Sequence, residues 1–170
     1  MTGLHRRLSI VLAATVLAAT TLPAMAQSVR VLSEHNAWTA YATTESAGQI
    51  CFVLSRPTAT EPEAGTSEGY FYITHRPDQG VRSEINIVTG YGLDSEATAS
   101  LIVGSQSFEL YTQDDAAWLA DTGETTSAIQ AIRGGSTMVV EGTQADGSTV
   151  RQTFSLSGAT AATNAIDGAC

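Results

Sequence analysis

The chain contains no lysine, so arginine supplies every side-chain cation apart from histidine. From residue 27 onward there are six arginines and seventeen aspartates and glutamates, which gives a formal net charge of −11. A chain this acidic is repelled by the phosphate backbone of nucleic acids and by anionic lipid surfaces. We therefore expect no nucleic-acid partner, and we attribute most of the acidity to solubility.

Residues that commonly carry catalysis are also scarce. After residue 26 the only histidines are His35 and His75, and no His-x-His or His-Glu-x-x-His motif occurs; the one Gly-x-Ser-x-Gly run, Gly65–Gly69, lies in a segment rich in proline and glycine. A serine hydrolase needs this motif as an elbow between a strand and a helix, together with a histidine, and a catalytic zinc needs three protein ligands. No glycine-rich phosphate or dinucleotide motif follows a predicted strand. The sequence thus predicts no catalytic residues, no bound metal and no cofactor.

The N-terminal segment predicts export. A short basic region at residues 5–7 precedes a largely apolar run of about 15 residues, and residues 24–26 form an Ala-Met-Ala cleavage site. Residues 1–26 therefore have the pattern of a signal peptide. The apolar run is shorter than the roughly 20 residues that span a bilayer, and no later run is long enough. We expect a domain of residues 27–170 in the periplasm or outside the cell, with no transmembrane segment after cleavage.

The two cysteines, Cys51 and Cys170, are far apart in the sequence. In an oxidising compartment an even number of cysteines indicates a disulfide, and this chain allows one intramolecular pairing. Neither cysteine lies in a Cys-x-x-Cys motif, so redox catalysis is not expected. The competing possibilities are two free thiols or an intermolecular bridge that makes a dimer.

Short strands separated by turns fill most of the mature chain. One of them, Glu84–Thr89, alternates strictly between polar and apolar side chains, and Gly104-Ser105 forms a tight turn between two others. The predicted strands are Ala37–Thr43, Ile50–Ser55, Tyr70–His75, Glu84–Thr89, Ala99–Val103, Ser107–Thr112, Ala116–Ala120, Thr137–Glu141 and Thr149–Leu156. About nine short strands indicate an all-β sandwich.

The remaining segments are predicted to be helical or irregular. One minor helix covers Thr126–Arg133, with Gly134 as a left-handed stop, and Ser157 caps a second one near the C-terminus. Residues 27–36 are expected to be a loose lead-in. Residues 57–69, with two prolines and two glycines, are expected to be a loop.

Three residues are candidates for a weak binding surface. His75 and Arg76 are adjacent at a strand end and could hold an anion, and Trp118 could offer an exposed aromatic platform. The simpler interpretations are a locally hydrogen-bonded strand end for His75 and core packing for Trp38 and Trp118. An enzyme that uses carboxylates and His75 in a shallow cleft is the alternative to a binding protein. A structural domain without a small ligand is the third possibility.

A series of short motifs runs in a defined order along the chain: Trp38 before Cys51, Thr74-His75-Arg76-Pro77, Gly80-Val81-Arg82, Gly90-Tyr91, Ala131–Ser136, Phe154–Ala162 and Cys170. Their order and spacing resemble the invasion associated locus B (IalB) family of exported bacterial proteins, over roughly residues 35–170. The resemblance implies an immunoglobulin-like β-sandwich in the periplasm or envelope. It also implies no known enzyme activity and an unknown protein or envelope partner. Binding or envelope support, with host-cell interaction as one form of it, is the function that the resemblance suggests.

We expect cleavage after Ala26, because the order of basic, apolar and small residues directs the signal peptidase to that position. Intact-mass measurement of the exported protein should find Gln27 as its first residue. A full-length, membrane-bound form would contradict this prediction.

Overall fold

A computed structural model describes residues 28–65 and 67–170, so the predicted signal peptide at residues 1–26 lies outside the described residues. This part of the chain forms eleven strands and two α-helices. The strands are β1 (Arg30–His35), β2 (Trp38–Glu45), β3 (Gly48–Ser55), β4 (Ala59–Glu61), β5 (Tyr70–Arg76), β6 (Val81–Val88), β7 (Ala99–Val103), β8 (Gln106–Gln113), β9 (Ala116–Leu119), β10 (Thr137–Thr143) and β11 (Thr149–Ser155). The helices are α1 (Thr125–Gly134) and α2 (Ala159–Ala169), with short 3₁₀ turns at Pro77–Gln79 and Thr122–Glu124.

The eleven described strands form one antiparallel sheet, in the order β1-β2-β3-β5-β6-β9-β8-β7-β10-β11-β4. Strands far apart in this order meet again across the core. The indole Nε1 of Trp38 on β2 donates a hydrogen bond to the carbonyl oxygen of Ser155 on β11, at 2.9 Å. Phe71 on β5 packs edge to face on Phe154 of β11, with ring centroids 5.8 Å apart. The predicted all-β fold is confirmed, and these contacts between distant strands are consistent with a sandwich.

Period-two alternation decides which side chains enter the core. On β6, Ile85 and Ile87 are buried while their neighbours are not, and on β8 the same holds for Phe108 and Leu110. Burial of a side chain of this size stabilises the fold by about 1.5–3 kcal/mol relative to exposure. The alternation therefore orients each strand and leaves every second position free of the core.

Two segments that the sequence predicts to be irregular form edge strands. β1 lies within the predicted lead-in at residues 27–36, and β4 lies within the predicted loop at residues 57–69. β1 pairs with β2, and β4 pairs with β11. Backbone hydrogen bonds hold both strands, which bury few side chains and therefore show no alternation in sequence. The strand count consequently rises from about nine to eleven.

The helix ends differ from the prediction. Gly134 is the last residue of α1 and is not left-handed, and Gly135 continues in extended backbone. Gly158, with φ of +96°, precedes α2 in place of a Ser157 cap. A Cβ at Gly158 would collide with the carbonyl oxygen of His35, so only glycine fits there. Neither α-helix of the described residues has the length and hydropathy to span a bilayer.

The end of α2 is fastened to the sheet by one covalent link and by hydrogen bonds. The structure contains the predicted disulfide between Cys51 on β3 and Cys170, with their Cα atoms 6.0 Å apart. Asp167 on α2 accepts hydrogen bonds from His75 Nε2 on β5, at 2.9 Å, and from Arg133 Nη2 on α1, at 2.6 Å. Partial burial alone would raise the pKa of Asp167, but these two hydrogen bonds outweigh it and hold the pKa below its usual value.

Replacement of Cys170 by Ser should lower the free energy of unfolding by about 4–5 kcal/mol, because it opens a ring that spans 119 positions. Denaturant unfolding measures the loss, and limited proteolysis should cut α2 first. The double variant Cys51→Ser/Cys170→Ser is the control for the free thiol and should behave like the single variant. Wild-type stability in both variants would rule out a stabilising disulfide.

Replacement of Asp167 by Ala should lower the free energy of unfolding by about 1–3 kcal/mol near pH 7, because the buried N–H of His75 loses its acceptor. The variant Asp167→Asn keeps an acceptor oxygen and should lose less.

The charge of Asp167 should also make stability depend on pH. Its pKa is lower in the folded chain than the ordinary 3.8, so the carboxylate stabilises the fold above that value. This contribution disappears as the pH falls through the folded-state pKa. In urea unfolding the stability gap between the wild type and Asp167→Asn should therefore narrow as the pH falls below about 4. A gap of constant size down to acid pH would show that the charge plays no part.

Candidate binding face and groove

Six aromatic side chains point outward from one half of the sheet. Four of the five tyrosines are among them, together with one phenylalanine and one tryptophan. We call this set the outer aromatic face; its members are Tyr41, Phe52, Tyr70, Tyr72, Tyr111 and Trp118, on strands β2, β3, β5, β9 and β8. The fifth tyrosine, Tyr91, lies in the core, where burial raises the pKa of its hydroxyl to about 12.

Strand register aligns part of this face into a row. Tyr72 on β5 pairs with Asn86 on β6, Asn86 pairs with Trp118 on β9, and Trp118 pairs with Tyr111 on β8. Directly opposed side chains on antiparallel strands have Cβ atoms about 4.5–5.5 Å apart. One row of contacting side chains therefore crosses four strands.

The aromatic rings form two stacked pairs. The centroids of Tyr41 and Phe52 are 5.0 Å apart with an interplanar angle of 17°, and those of Tyr111 and Trp118 are 5.4 Å apart at 15°. Cross-strand aromatic pairs stabilise a sheet by about 0.2–1 kcal/mol each, so part of their role is structural. Tyr111 nevertheless remains 49% exposed, so stacking on Trp118 does not bury its ring.

One end of the outer aromatic face is occupied by an internal ion pair. The guanidinium of Arg56 lies 5.4 Å from the ring centroid of Tyr70, and Glu68 accepts hydrogen bonds from Arg56 and from the Tyr70 hydroxyl. Contact with Tyr70 and then with Glu68 raises the pKa of Arg56. The pKa of neighbouring Tyr72 is raised mainly by burial and then by Tyr70. The charges of Arg56 and Glu68 at this end are therefore already paired with each other.

The other end opens into a cavity of about 550 Å³. Its lining comprises apolar Ile85, Trp118 and Tyr111, charged Arg82 and Glu84 on β6, and the hydroxyl-bearing Thr122, Thr125 and Thr126 near the start of α1. A second depression of about 320 Å³ shares Arg82, Thr125 and Thr126 with the first and extends to Arg133 and Asp167. We call the two together the groove. Cavities of this size accommodate small ligands.

The groove contains two arginines, Arg82 and Arg133, which differ in their partners. Four of the six arginines in the described part of the chain form ion pairs: Arg56–Glu68, Arg76–Glu84, Arg133–Asp167 and Arg151–Glu141. Arg82 pairs with no carboxylate side chain among the described residues. Its Nη2 donates to an oxygen of Cys170, the last residue of the described chain, at 2.9 Å, and so connects β6 to the end of α2.

The structure separates the three residues that the sequence proposed for a binding surface. His75 is not at the surface: it is 1% exposed and faces inward on β5. Arg76, the next residue, lies near the surface and pairs with Glu84 at 2.6 Å. Adjacent residues of a strand point to opposite faces, so His75 and Arg76 do not hold an anion together. Trp118 is half-buried on the outer aromatic face, whereas Trp38 is in the core, so the core-packing interpretation applies to Trp38 alone.

Both ring nitrogens of His75 are occupied. Nδ1 accepts a hydrogen bond from the backbone N–H of Ser83 at 2.9 Å, and Nε2 donates to Asp167. This pattern assigns the ring proton to Nε2 and leaves no lone pair to accept a proton from a substrate. In residues 28–65 and 67–170 no three His, Cys, Asp or Glu side chains are grouped as metal ligands. The geometry of His75 is that of a structural residue.

Sequence reasoning did not single out Tyr111 or Arg82. Only the register between β8 and β9 shows that the ring of Tyr111 stacks on Trp118. Arg82 stands in the Gly80-Val81-Arg82 motif, which is the one signal in the sequence that draws attention to it.

Comparisons with known proteins agree with the fold and the motif order. Residues 38–167 match the protein family described as Invasion associated locus B (IalB) protein. No curated protein sequence matches the chain. The crystal structure of invasion associated protein B from Bartonella henselae is similar, with a TM-score of 0.57 and 13% identity, over 80% of this chain and 95% of that chain. At this identity the likeness establishes a shared fold. Because the family match extends from the tryptophan of β2 to the aspartate of α2, the chain belongs to the invasion associated locus B family.

Proposed function

We propose that the chain is exported, loses residues 1–26, and acts in the bacterial envelope or outside the cell by binding a partner through the outer aromatic face. The observation that carries the proposal is the row of aromatic side chains that points away from the core, with Tyr111 49% exposed. Tyrosine and tryptophan are enriched where proteins bind partners, because they supply a large contact area and have few rotamers to fix.

The N-terminal sequence pattern and the disulfide support a location outside the cytoplasm for this binding. Signal peptides direct export, and disulfides persist in the oxidising compartments that exported proteins enter. The similar protein from Bartonella henselae is described as an invasion associated protein. Contact with a host cell is therefore one setting for the proposed binding, and support of the envelope is the other. The net charge of −11 argues against nucleic acid as the partner.

A binding role accounts for His75 better than the alternative enzyme does. A general base in a shallow cleft needs a ring nitrogen within reach of a substrate. His75 is buried against α2, and its two nitrogens are bonded to Ser83 and Asp167. Freeing either nitrogen would remove a contact that holds β6 or α2 in place. Of the two carboxylates of the groove, Glu84 is paired with Arg76 and Asp167 with Arg133.

Site-specific photo-crosslinking in cells that express the full chain tests the proposal. A benzophenone side chain at position 111 or 72 should crosslink the same partner. The matched control is position 139, where Val139 points outward from β10 on the other half of the sheet. Adding Trp118→Ala to the position-72 probe should sharply reduce the crosslinked product, because truncation of an aromatic interface anchor weakens binding by about 2 kcal/mol or more.

Equal crosslinking from positions 111 and 139 would show that the face has no special part in binding. A product that is unaffected by Trp118→Ala would lead to the same conclusion.

A further inference from the structure

β6 has a strand neighbour on both sides for only part of its length. Its last residues, Asn86–Val88, pair with β9, whereas the stretch before them, Val81–Ile85, has β5 as its one strand neighbour. β9 leaves β6 because Ala120 stays with β8, where its N–H donates to the carbonyl oxygen of Glu109 at 3.0 Å. Among the described residues no backbone hydrogen bond joins Val81–Ile85 to β9 or to α1. A strand without a neighbour presents unpaired N–H and C=O groups, so this stretch is an open edge inside the sheet.

The helix α1 lies opposite this open edge. The two depressions of the groove, about 550 and 320 Å³, are both lined by β6 on one side and by α1 on the other. The hydroxyls of Thr122, Thr125 and Thr126 and the amide of Gln130 lie on the helical side, and none of them takes part in a side-chain hydrogen bond in the part of the chain that the structure describes. A strand bound beside β6 would turn its second edge toward these groups. Both sides of the groove therefore offer hydrogen-bonding groups to an extended chain.

We propose that the groove binds an extended, uncharged peptide segment of the partner, which adds to β6 as a further strand. Strand addition to an open sheet edge is a recurring mode of peptide recognition, in which main-chain hydrogen bonds supply affinity and alternate side chains supply specificity. This inference names the kind of partner for the binding function proposed above and rests on it.

A bulge in β6 sets the register of the added strand. Ser83, with φ of +55°, turns its N–H inward to Nδ1 of His75 at 2.9 Å, so this group is not available to a ligand. The regular pairing with β5 resumes at Glu84 and Ile85. Because alternate residues of a strand bond to opposite neighbours, one of these two directs its N–H and C=O groups to the open side. The segment therefore pairs first with Glu84 or Ile85, in line with the end of β9, and then passes the bulge.

The charges of the groove favour an uncharged segment. Both of its carboxylates, Glu84 and Asp167, form ion pairs with arginines. Arg82 already donates to an oxygen of the last residue at 2.9 Å. A charged side chain of a ligand would lose hydration here and would meet opposite charges that are already engaged, which is unfavourable. A neutral segment avoids this cost.

The groove is continuous with the outer aromatic face. Trp118 pairs with Asn86, the residue at which the open edge of β6 ends, and Tyr111 stacks on Trp118 and is 49% exposed. Both rings line the larger depression of the groove. An aromatic or apolar side chain of the bound segment packs against Tyr111 there. One partner can therefore contact the outer aromatic face and place a strand in the groove.

Selection from a phage-displayed library of random eight-residue peptides on the mature exported protein tests the inference. Uncharged sequences with an aromatic residue should be enriched, and a synthetic peptide of the leading sequence should bind saturably in calorimetry. The peptide is then N-methylated at alternate backbone amides, in two versions that together cover both of its edges. At least one version should bind about tenfold more weakly, because it lacks the N–H donors of the strand pairing.

Amide hydrogen exchange locates the bound strand. The backbone N–H of Glu84 or Ile85 that faces the open side should exchange at least tenfold more slowly in the complex, because the peptide supplies its acceptor. The amides of β1, which is an edge strand of the same sheet, should exchange at unchanged rates.

Two variants of α1 test the position of the peptide. Thr126 lines both depressions of the groove, so Thr126→Trp should fill it and weaken peptide binding at least tenfold. Ser127→Trp is the matched control: this residue is also exposed, but it lines a separate depression beside the turn between β7 and β8. The control should keep the wild-type affinity. Thermal unfolding of each variant shows whether it is folded.

No enrichment, enrichment of strongly charged sequences, equal affinities of the methylated and unmethylated peptides, protection of β1 in place of β6, or wild-type affinity in Thr126→Trp would each overturn the inference. If no peptide is enriched while the probes at positions 111 and 72 still crosslink a partner and Trp118→Ala still reduces the product, the peptide inference fails and the proposed binding function stands. If both experiments fail, the binding function itself is wrong.

Discussion

One continuous antiparallel sheet encloses the core, and each of its strands can give the core only every second side chain. The sheet folds back so that Trp38 on β2 contacts Ser155 on β11. The side chains of its inner face therefore pack against one another in the core. Side chains on the outer face do not have to pack in the core. Aromatic residues on that face, including the pair Tyr111 and Trp118, therefore need an explanation other than core formation. Cross-strand stacking supplies part of it, and the 49% exposure of Tyr111 is the basis of the proposed binding role.

Because the inner face is buried, it contains few polar side chains. A polar group taken out of water without a partner is destabilising, and hydrogen bonds inside the fold offset this cost for several of them, although Ser55 Oγ and Gln152 Oε1 find no partner among the described residues. His75 forms such bonds with Ser83 and Asp167, and the amide Nε2 of Gln152 donates to the carbonyl oxygen of Thr89 at 2.9 Å. The histidine that looks chemically active in sequence thus serves to join β5 to α2. Catalytic residue types are informative only when burial and partners are known.

The parts of the fold that could be predicted are those in which burial leaves a pattern in the sequence. The inward isoleucines of β6 and the Gly104-Ser105 turn are examples, because side-chain period and turn chemistry are local properties. β1 and β4 could not be predicted, since hydrogen bonds to neighbouring strands hold them and their own side chains are mostly exposed. The candidate site shows the same limit. Trp118 stands out by residue type, whereas its partner Tyr111 depends on a register that spans two strands.

The charge pattern bears on whether the groove is a site or a shallow irregularity. In the described part of the chain, aspartates and glutamates greatly outnumber arginines, and four of the six arginines form an ion pair with one of these carboxylates. Exposed ion pairs stabilise a fold by at most about 1 kcal/mol, so an unpaired surface arginine is thermodynamically tolerable anywhere. Arg30 illustrates this on the exposed β1. Arg82 differs from it in lying at the wall of the groove beside Trp118, where it donates to Cys170 at 2.9 Å and so connects β6 to the end of α2.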